Sequence, residues 1–287
     1  MPHPRAAPDS PFHSLFRSLL RWFPLIARSL NAIRYPLNAI RWSLMDSRLI
    51  VALDFPSAAP ALALADRLHG LCRWFKVGLE LHTAEGPAIV HELRRRGFSV
   101  FLDLKFHDIP NTVAGAIRSS AAAGANMINV HALGGPAMLE AAAEAADGLP
   151  DPPQLLAVTV LTSMDQLQLA AIGIDHSPET EVLRLADTAI EAGINGFVAS
   201  AEEVAPLRHR FPTATLVIPG IRPAGAATGD QKRIATPAAA LAAGASHLVI
   251  GRPITQAPDP IAATEAILEE MSHVPMPDEL SSRRSAF

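Results

Sequence analysis

Residues 101–112 read Phe-Leu-Asp-Leu-Lys-Phe-His-Asp-Ile-Pro-Asn-Thr, and they place three charged side chains at the end of a short apolar run. Asp103 and Lys105 are two residues apart near the end of a predicted strand, and strand periodicity directs both to the same face. Asp108 follows on the loop that leads to the next helix. Opposite charges this close hold one another ionised, whereas a lone lysine inside a fold would be costly to bury. We therefore expect a charged site at the end of this strand.

Similar apolar runs recur along the chain between longer Ala- and Leu-rich helical patterns, which indicates repeated βα units. Eight parallel strands with helical crossovers predict a closed (β/α)8 barrel of the α/β class, a TIM barrel in one domain. An open doubly wound sheet has the same periodicity and is the alternative. The predicted strands are Leu49–Asp54, Trp74–Gly78, Ser99–Leu104, Met127–His131, Leu155–Leu161, Gly196–Ser200, Thr215–Ile218 and His247–Ile250.

Polar side chains lie in the C-terminal halves of these strands or just beyond them. In a barrel this end is the mouth where active sites are built, whereas surface charges would scatter over helix faces. Lys76 on the second strand can extend the alternating charges of Asp103, Lys105 and Asp108. A buried ion-pair network without a catalytic task is the alternative, although such networks add little stability. The predicted mouth residues are Asp54, Lys76, Asp103, Lys105, His131, Thr162 and Arg222.

Two Gly-Arg segments predict a phosphate site. Ile218–Arg222 follows the seventh strand and Val249–Arg252 follows the eighth, the two loops that hold phosphate groups in many barrels. Gly220 and Gly251 allow the backbone to approach an anion closely, and an arginine offers a forked donor.

The termini differ from the predicted barrel domain, which we place at residues 45–275. Residues 1–44 carry six arginines and one acid, and we expect a disordered extension or a stretch upstream of a true start at Met45. An organelle transit peptide or a membrane-surface helix is the alternative. Pro24 and Pro36 interrupt the apolar residues, so we expect no transmembrane anchor. We expect residues 276–287 to be a polar C-terminal tail.

Composition excludes several function classes. The net charge of −4 and the scattered basic residues of the main body argue against nucleic acid as a partner. A single cysteine, Cys72, cannot form an internal disulfide and fits a reducing, cytoplasmic location. Neither metal-ligand spacing nor a cofactor motif is present, so we expect no metal and no cofactor.

Seven segments in order resemble the orotidine 5'-phosphate decarboxylase family, across about Leu49–Leu268. The resemblance implies a TIM barrel that converts orotidine 5'-phosphate to UMP and CO2 without a cofactor, the last step of de novo pyrimidine nucleotide biosynthesis. Ile218 departs from the family pattern, in which Thr often precedes Pro-Gly. The segments are residues 53–55, 76–78, 103–112, 161–163, 219–222, 229–231 and 251–253.

The resemblance also implies residue roles. Lys105 would protonate C6 of the pyrimidine as CO2 leaves, and Asp103 would lie beside the substrate carboxylate. Asp108 and Thr112 would reach into the site of the neighbouring subunit, which requires a homodimer. The other implied substrate-binding residues are Lys76 and Asp54 at the ribose, Thr162 and Ser163 at the base, Gln231 over the base and phosphate, and Arg222 and Arg252 at the phosphate, together with Pro219 and Gly251.

Two other functions are open at this stage. One is a Mg-dependent sugar-phosphate decarboxylase or aldolase of the same barrel superfamily, which shares the Asp-x-Lys-x-x-Asp pattern; Lys76, Gln231 and the segment Pro219–Arg222 argue against it. The other is a non-catalytic barrel that binds nucleotide phosphates. A binder has little reason to keep a buried lysine between carboxylates, which argues against that function.

Overall fold

The computed structural model describes residues 48–223 and 235–274, in which eight parallel strands close into a barrel in sequence order. The barrel closes because β8 pairs with β1 through Leu49 and Leu248. The TIM barrel prediction is confirmed, and the open doubly wound sheet is excluded. The strands are β1 Leu49–Ala52, β2 Trp74–Gly78, β3 Ser99–Phe106, β4 Met127–His131, β5 Gln154–Val158, β6 Gly196–Val198, β7 Thr215–Ile218 and β8 His247–Ile250.

At least one helix connects each strand to the next, and prolines in the first turn begin several of them. Within residues 48–223 and 235–274, no helix is both long and apolar enough to cross a membrane. The α-helices are α1 Ala58–Arg67, α2 Leu79–Glu85, α3 Ala88–Arg95, α4 Pro110–Ala122, α5 Pro136–Asp147, α6 Gln166–Ala171, α7 Pro178–Glu191, α8 Val204–Arg210, α9 Pro237–Ala242, α10 Arg252–Thr255 and α11 Pro260–Ser272.

The interior of the barrel is filled by apolar side chains from most of the strands. Strand side chains alternate between faces, so the residues two positions farther along a strand also face the interior. Trp74, Phe101 and Met127 pack in this core, and the next inward positions on β2, β3 and β4 are polar. The clustered core residues are Ile50, Ala52, Phe101, Met127, Leu156, Val158, Val198, Val217 and Val249.

The predicted ends of the domain lie outside the described residues. Residues 1–44 and 276–287 are therefore still assigned from the sequence alone. The carboxyl ends of four strands differ from the prediction: β1 ends at Ala52, two residues before Asp54, and β3 continues to Phe106. β5 spans Gln154–Val158 and stops before Leu161, and β6 stops at Val198 before Ser200.

Candidate active site

A cavity of about 250 Å³ opens at the carboxyl ends of the strands. Side chains from both sides of the barrel line it, which is where the sequence predicts the site. Apolar residues such as Val158 and Val198 form its floor together with the aromatic ring of Phe101. The predicted site residues that line it are Asp54, Lys76, Asp103, Lys105, Thr162, Pro219, Arg222, Gly251 and Arg252.

Two lysines and two aspartates form a chain of alternating charge at one side of this cavity. Lys76 Nζ lies 2.8 Å from Asp54 Oδ1 and 3.5 Å from Asp103 Oδ2. Lys105 Nζ lies 2.6 Å from the other oxygen, Asp103 Oδ1. The side chains of Lys76 and Asp103 are 10% and 14% exposed, whereas that of Asp54 is 56% exposed. The chain of charges therefore runs from a nearly buried centre to the solvent.

The central pair stays ionised despite its burial. Burial by itself would lower the pKa of Lys76, but the carboxylates of Asp103 and Asp54 outweigh this effect and raise that pKa above its usual value. Burial would likewise raise the pKa of Asp103, but Lys76 and Lys105 outweigh it and lower that pKa. The site therefore keeps fixed positive and negative charges in a partly desolvated cavity.

Because Gly78 has no side chain, the end of the Lys76 side chain can occupy the space beside it. A Cβ atom at residue 78 would lie 2.8 Å from Lys76 Nζ and 3.2 Å from Asp54 Oδ1. Any other residue would therefore press on the ion pair between these two side chains. This explains on steric grounds why glycine follows the Lys-Val segment at the end of β2.

Lys105 has an unusual backbone conformation. Its φ is 52°, the only positive φ of a non-glycine residue in the described parts of the chain. Left-handed backbone costs about 1–2 kcal/mol for an L-residue, so surrounding contacts have to stabilise it. The pairing of β3 with β4 shifts register here, between Leu102 and Phe106. This bulge redirects the lysine at the end of its strand.

Asn129 is a site residue that sequence reasoning missed. Its side chain is fully buried on β4. Its Nδ2 donates to Asp103 Oδ1 over 2.7 Å, and its Oδ1 accepts a hydrogen bond from Lys105 N over 2.8 Å. The sequence contained one clue to this role: Asn129 is the single amide side chain, at an inward-facing position, in the otherwise apolar run Met127–Val130.

The predicted phosphate loops follow β7 and β8, and β8 is the neighbour of β1 in the closed barrel. Gly220 has a φ of 77°, which favours glycine, and it turns the chain after β7. Arg222 is buried and its Nη1 donates to Ile221 O over 2.8 Å. Arg252 is exposed and begins the short helix α10. Both arginines line the cavity and form a cationic wall, which adjoins the charge network where β8 pairs with β1.

Three of the predicted catalytic or substrate-binding residues that the structure describes are not brought into the cavity of this chain. Asp108 is exposed, and its Oδ1 accepts a hydrogen bond from Ile109 N over 2.6 Å; within the described residues it forms no ion pair with Lys76 or Lys105. Thr112 and Ser163 are exposed and do not line the cavity. Gln231 lies outside the described residues.

Two histidines stack beside the network. The rings of His107 and His131 are 5.4 Å apart, and His131 Nδ1 accepts a hydrogen bond from Leu133 N over 3.4 Å. Burial, with the nearby His107 and Lys105, lowers the pKa of His131 to about 4. His131 is therefore neutral at neutral pH and acts as a hydrogen-bond acceptor and packing group.

Comparison with known proteins identifies the family. A family model described as the orotidine 5'-phosphate decarboxylase / HUMPS family matches residues 47–267. A Halorhodospira halophila protein named orotidine 5'-phosphate decarboxylase is 59% identical over 227 residues, which cover 78% of this chain and 96% of the relative. A protein of the same name from Pseudomonas aeruginosa is 53% identical over 231 residues, covering 80% of this chain and 99% of the relative.

Solved structures give the same result. The crystal structure of orotidine 5'-phosphate decarboxylase from Lactobacillus acidophilus matches with a TM-score of 0.69 and 37% identity, covering 79% of this chain and 99% of that one. An uncharacterized conserved protein from Geobacillus kaustophilus matches with a TM-score of 0.69 and 39% identity, covering 78% and 99%. Since sequence and fold agree over most of its length, the chain belongs to the orotidine 5'-phosphate decarboxylase / HUMPS family.

Proposed function

We infer that this chain decarboxylates orotidine 5'-phosphate to UMP and CO2, the last step of de novo pyrimidine nucleotide biosynthesis. The observation that carries this inference is the ammonium of Lys105, held 2.6 Å from Asp103 in a cavity that Arg222 and Arg252 also line. A candidate proton donor and a candidate anion site thus share one cavity. The curated relatives named above carry the same enzyme name.

The reaction needs a proton and a stabilised carbanion. When the bond between C6 and the carboxylate breaks, CO2 leaves and the electron pair remains at C6. Lys105 Nζ donates its proton to that carbon, and its positive charge stabilises the developing anion before transfer. Asp103 lies beside the substrate carboxylate, where it repels that group or fixes the two lysines.

Lys76 fixes the Asp103 carboxylate and binds the ribose, together with Asp54. This assignment is supported by the 2.8 Å and 3.5 Å contacts of Lys76 Nζ, which join both aspartates. Thr162 and Ser163 bind the pyrimidine base. Gln231 closes over the base and phosphate, and the phosphate binds at Pro219, Arg222, Gly251 and Arg252.

Phosphate binding also serves the chemical step. Binding energy from a remote group can offset the cost of desolvating the reacting centre. The arginine wall follows β7 and β8 whereas Lys105 lies on β3, so a phosphate anchored there would orient the pyrimidine toward the ammonium. The two arginine loops therefore belong to the mechanism as well as to affinity.

The direct test mixes purified protein with orotidine 5'-phosphate and follows the loss of pyrimidine absorbance, with no added metal or cofactor. We expect turnover that EDTA leaves undiminished. Activity that EDTA removes and Mg2+ restores would favour the Mg-dependent sugar-phosphate decarboxylase or aldolase. Tight UMP binding without turnover would favour the non-catalytic nucleotide-binding barrel.

A homodimer completes the site with Asp108 and Thr112 from the partner. Support comes from the exposure of both residues and from exposed apolar side chains nearby: Ile109 is 67% exposed and Leu79, which follows β2, is 59% exposed. An exposed apolar surface beside exposed polar site residues fits an isologous interface between two copies.

Hybrid dimers test this assembly. Lys105→Ala and Asp108→Ala chains are co-expressed with different tags, and the mixed dimer is purified. One of its two sites then contains Lys105 and the partner's intact carboxylate, so the purified mixed dimer recovers about half of wild-type activity, while each variant alone is inactive. No recovery above the separate variants would place Asp108 in the site of its own chain.

For domain organisation and location, we propose a barrel domain at 45–275 in a cytoplasmic protein. The family match begins at residue 47, close to Met45, and Cys72 is buried as a free thiol. Mass measurement of the mature N-terminus tests whether residues 1–44 belong to the working protein.

A further inference from the structure

We propose that Asn129 is a positioning residue that holds Asp103 and Lys105 in their working geometry; this inference rests on the decarboxylase function proposed above. Asn129 lies on β4, two residues beyond Met127, whose side chain belongs to the barrel core. Strand alternation therefore directs Asn129 into the interior, in the layer just below the cavity mouth. Its exposure is 0%, so it is packed away from solvent.

The Asn129 amide positions both the backbone and the side-chain ammonium of Lys105. Asn129 Oδ1 accepts the hydrogen bond of Lys105 N over 2.8 Å, which fixes the backbone. Asn129 Nδ2 donates to Asp103 Oδ1 over 2.7 Å, and Lys105 Nζ donates to that same oxygen over 2.6 Å. The ammonium position therefore depends on a carboxylate that Asn129 orients.

The register of the two strands explains why a side chain is needed there. Leu102 pairs with Ile128 and Phe106 pairs with Val130, so residues 103–105 all lie opposite Asn129. Because three residues of β3 lie opposite a single residue of β4, the regular ladder of backbone hydrogen bonds is interrupted there. The Asn129 amide supplies the missing acceptor for Lys105 N, at the residue whose φ is 52°.

Asparagine is the side chain that suits both contacts. A backbone N–H can only donate and an ionised carboxylate can only accept. The side chain that joins Lys105 N to Asp103 therefore needs both a hydrogen-bond acceptor and a hydrogen-bond donor at its end. Aspartate offers the acceptor but no donor, and it adds a negative charge beside Asp103. Leucine has nearly the same shape and offers neither. Asparagine also leaves the balance of charge in the network unchanged.

Asn126 provides a matched control on the same pair of strands. Its Oδ1 accepts a hydrogen bond from Val100 N over 3.0 Å, so it also joins an amide oxygen to the β3 backbone. It directly precedes β4, at the amino end of the barrel strands, far along the strand from the cavity. If the Asn129 variants lost activity only because the pairing of β3 with β4 was weakened, Asn126→Ala would lose activity as well.

The experiment compares Asn129→Ala, Asn129→Asp and Asn126→Ala with wild type, measuring kcat, KM, UMP affinity and thermal midpoint. We expect both Asn129 variants to lose about 100-fold in kcat, because a small displacement of a catalytic group has an effect of this order. UMP affinity should change far less, since the phosphate wall is untouched. Asn126→Ala should keep wild-type kcat even if its thermal midpoint falls.

The outcomes separate this proposal from the function on which it rests. Absence of turnover in the wild-type protein would reject the decarboxylase function. Wild-type turnover together with Asn129 variants whose kcat per folded molecule equals that of Asn126→Ala would reject the positioning role. If Asn129→Ala does not fold, Asn129→Asp decides, because it keeps the shape and the acceptor for Lys105 N while it removes the donor to Asp103 and adds a negative charge beside that carboxylate.

Discussion

The two walls of the cavity are built in different ways. On the wall of β1, β2 and β3, charged side chains on or just beyond paired strands hold one another through ion pairs of 2.6–3.5 Å. On the wall that follows β7 and β8, glycine-containing turns and two arginines line the cavity. The first wall has a geometry fixed before substrate arrives, and the second is carried by connecting segments.

This difference matches the demands on each wall. A proton donor has to be held within a fraction of an ångström of its productive position, and strands provide that precision better than loops. An anion site needs charge and donors more than exact placement, and loops supply these. Changes at the strand wall should therefore act on the chemical step, and changes at the loop wall should act on the binding of the phosphate.

The largest effect is expected at the strand wall. Lys105→Ala removes the proposed proton donor and its positive charge, so kcat should fall by about 10⁴-fold or more. UMP binding should be largely retained because UMP lacks the carboxylate and still reaches the arginines. Steady-state kinetics and calorimetry with UMP measure the two quantities. Undiminished turnover would remove Lys105 from the chemistry and erase the distinction between the walls.

Much of the strand wall could be predicted from the sequence. Asp103 and Lys105 share a face because strand side chains repeat every second residue, and the strand ends locate the mouth. The left-handed φ of Lys105 and the bulge beside it could not be predicted, because they depend on the register between β3 and β4. Asn129 was missed for the same reason, since its partners lie on a different strand.

The loop wall was predictable in its position but less so in its detail. Gly220 and Gly251 mark two turns that suit phosphate, and both Arg222 and Arg252 line the cavity as expected. Their environments differ, since Arg222 is buried and Arg252 is exposed. Local sequence could not separate the two, because burial depends on what packs around each turn.

A smaller effect is expected at the loop wall. Arg252→Ala removes an exposed arginine, so the fold should remain intact. Losing one charge-assisted contact of about 1.5–3 kcal/mol should lower kcat/KM for orotidine 5'-phosphate by about 10- to 100-fold. Orotidine, which lacks the phosphate, is the matched control, and the variant should process it as wild type does. An equal loss on both substrates would show that Arg252 acts on the chemical step.

The smallest effect is expected at Gly78, where space rather than a functional group is changed. The backbone of Gly78 has a φ of −94°, which any residue can adopt, so Gly78→Ala introduces no backbone strain. The new methyl group would meet Lys76 Nζ at 2.8 Å and displace the flexible end of that side chain from Asp54. We expect kcat/KM to fall by about tenfold, less than for a fixed group because lysine can readjust.

Unfolding experiments complete the Gly78 test. Alanine restricts the unfolded chain more than glycine does, which offsets part of the cost of displacing Lys76 from Asp54, so the free energy of unfolding should stay within about 1 kcal/mol of wild type. Reduced activity with unchanged stability would mean that the strand wall depends on the position of Lys76 Nζ. Full activity would mean that the ammonium tolerates displacement, and the precision attributed to this wall would then be confined to Asp103, Lys105 and Asn129.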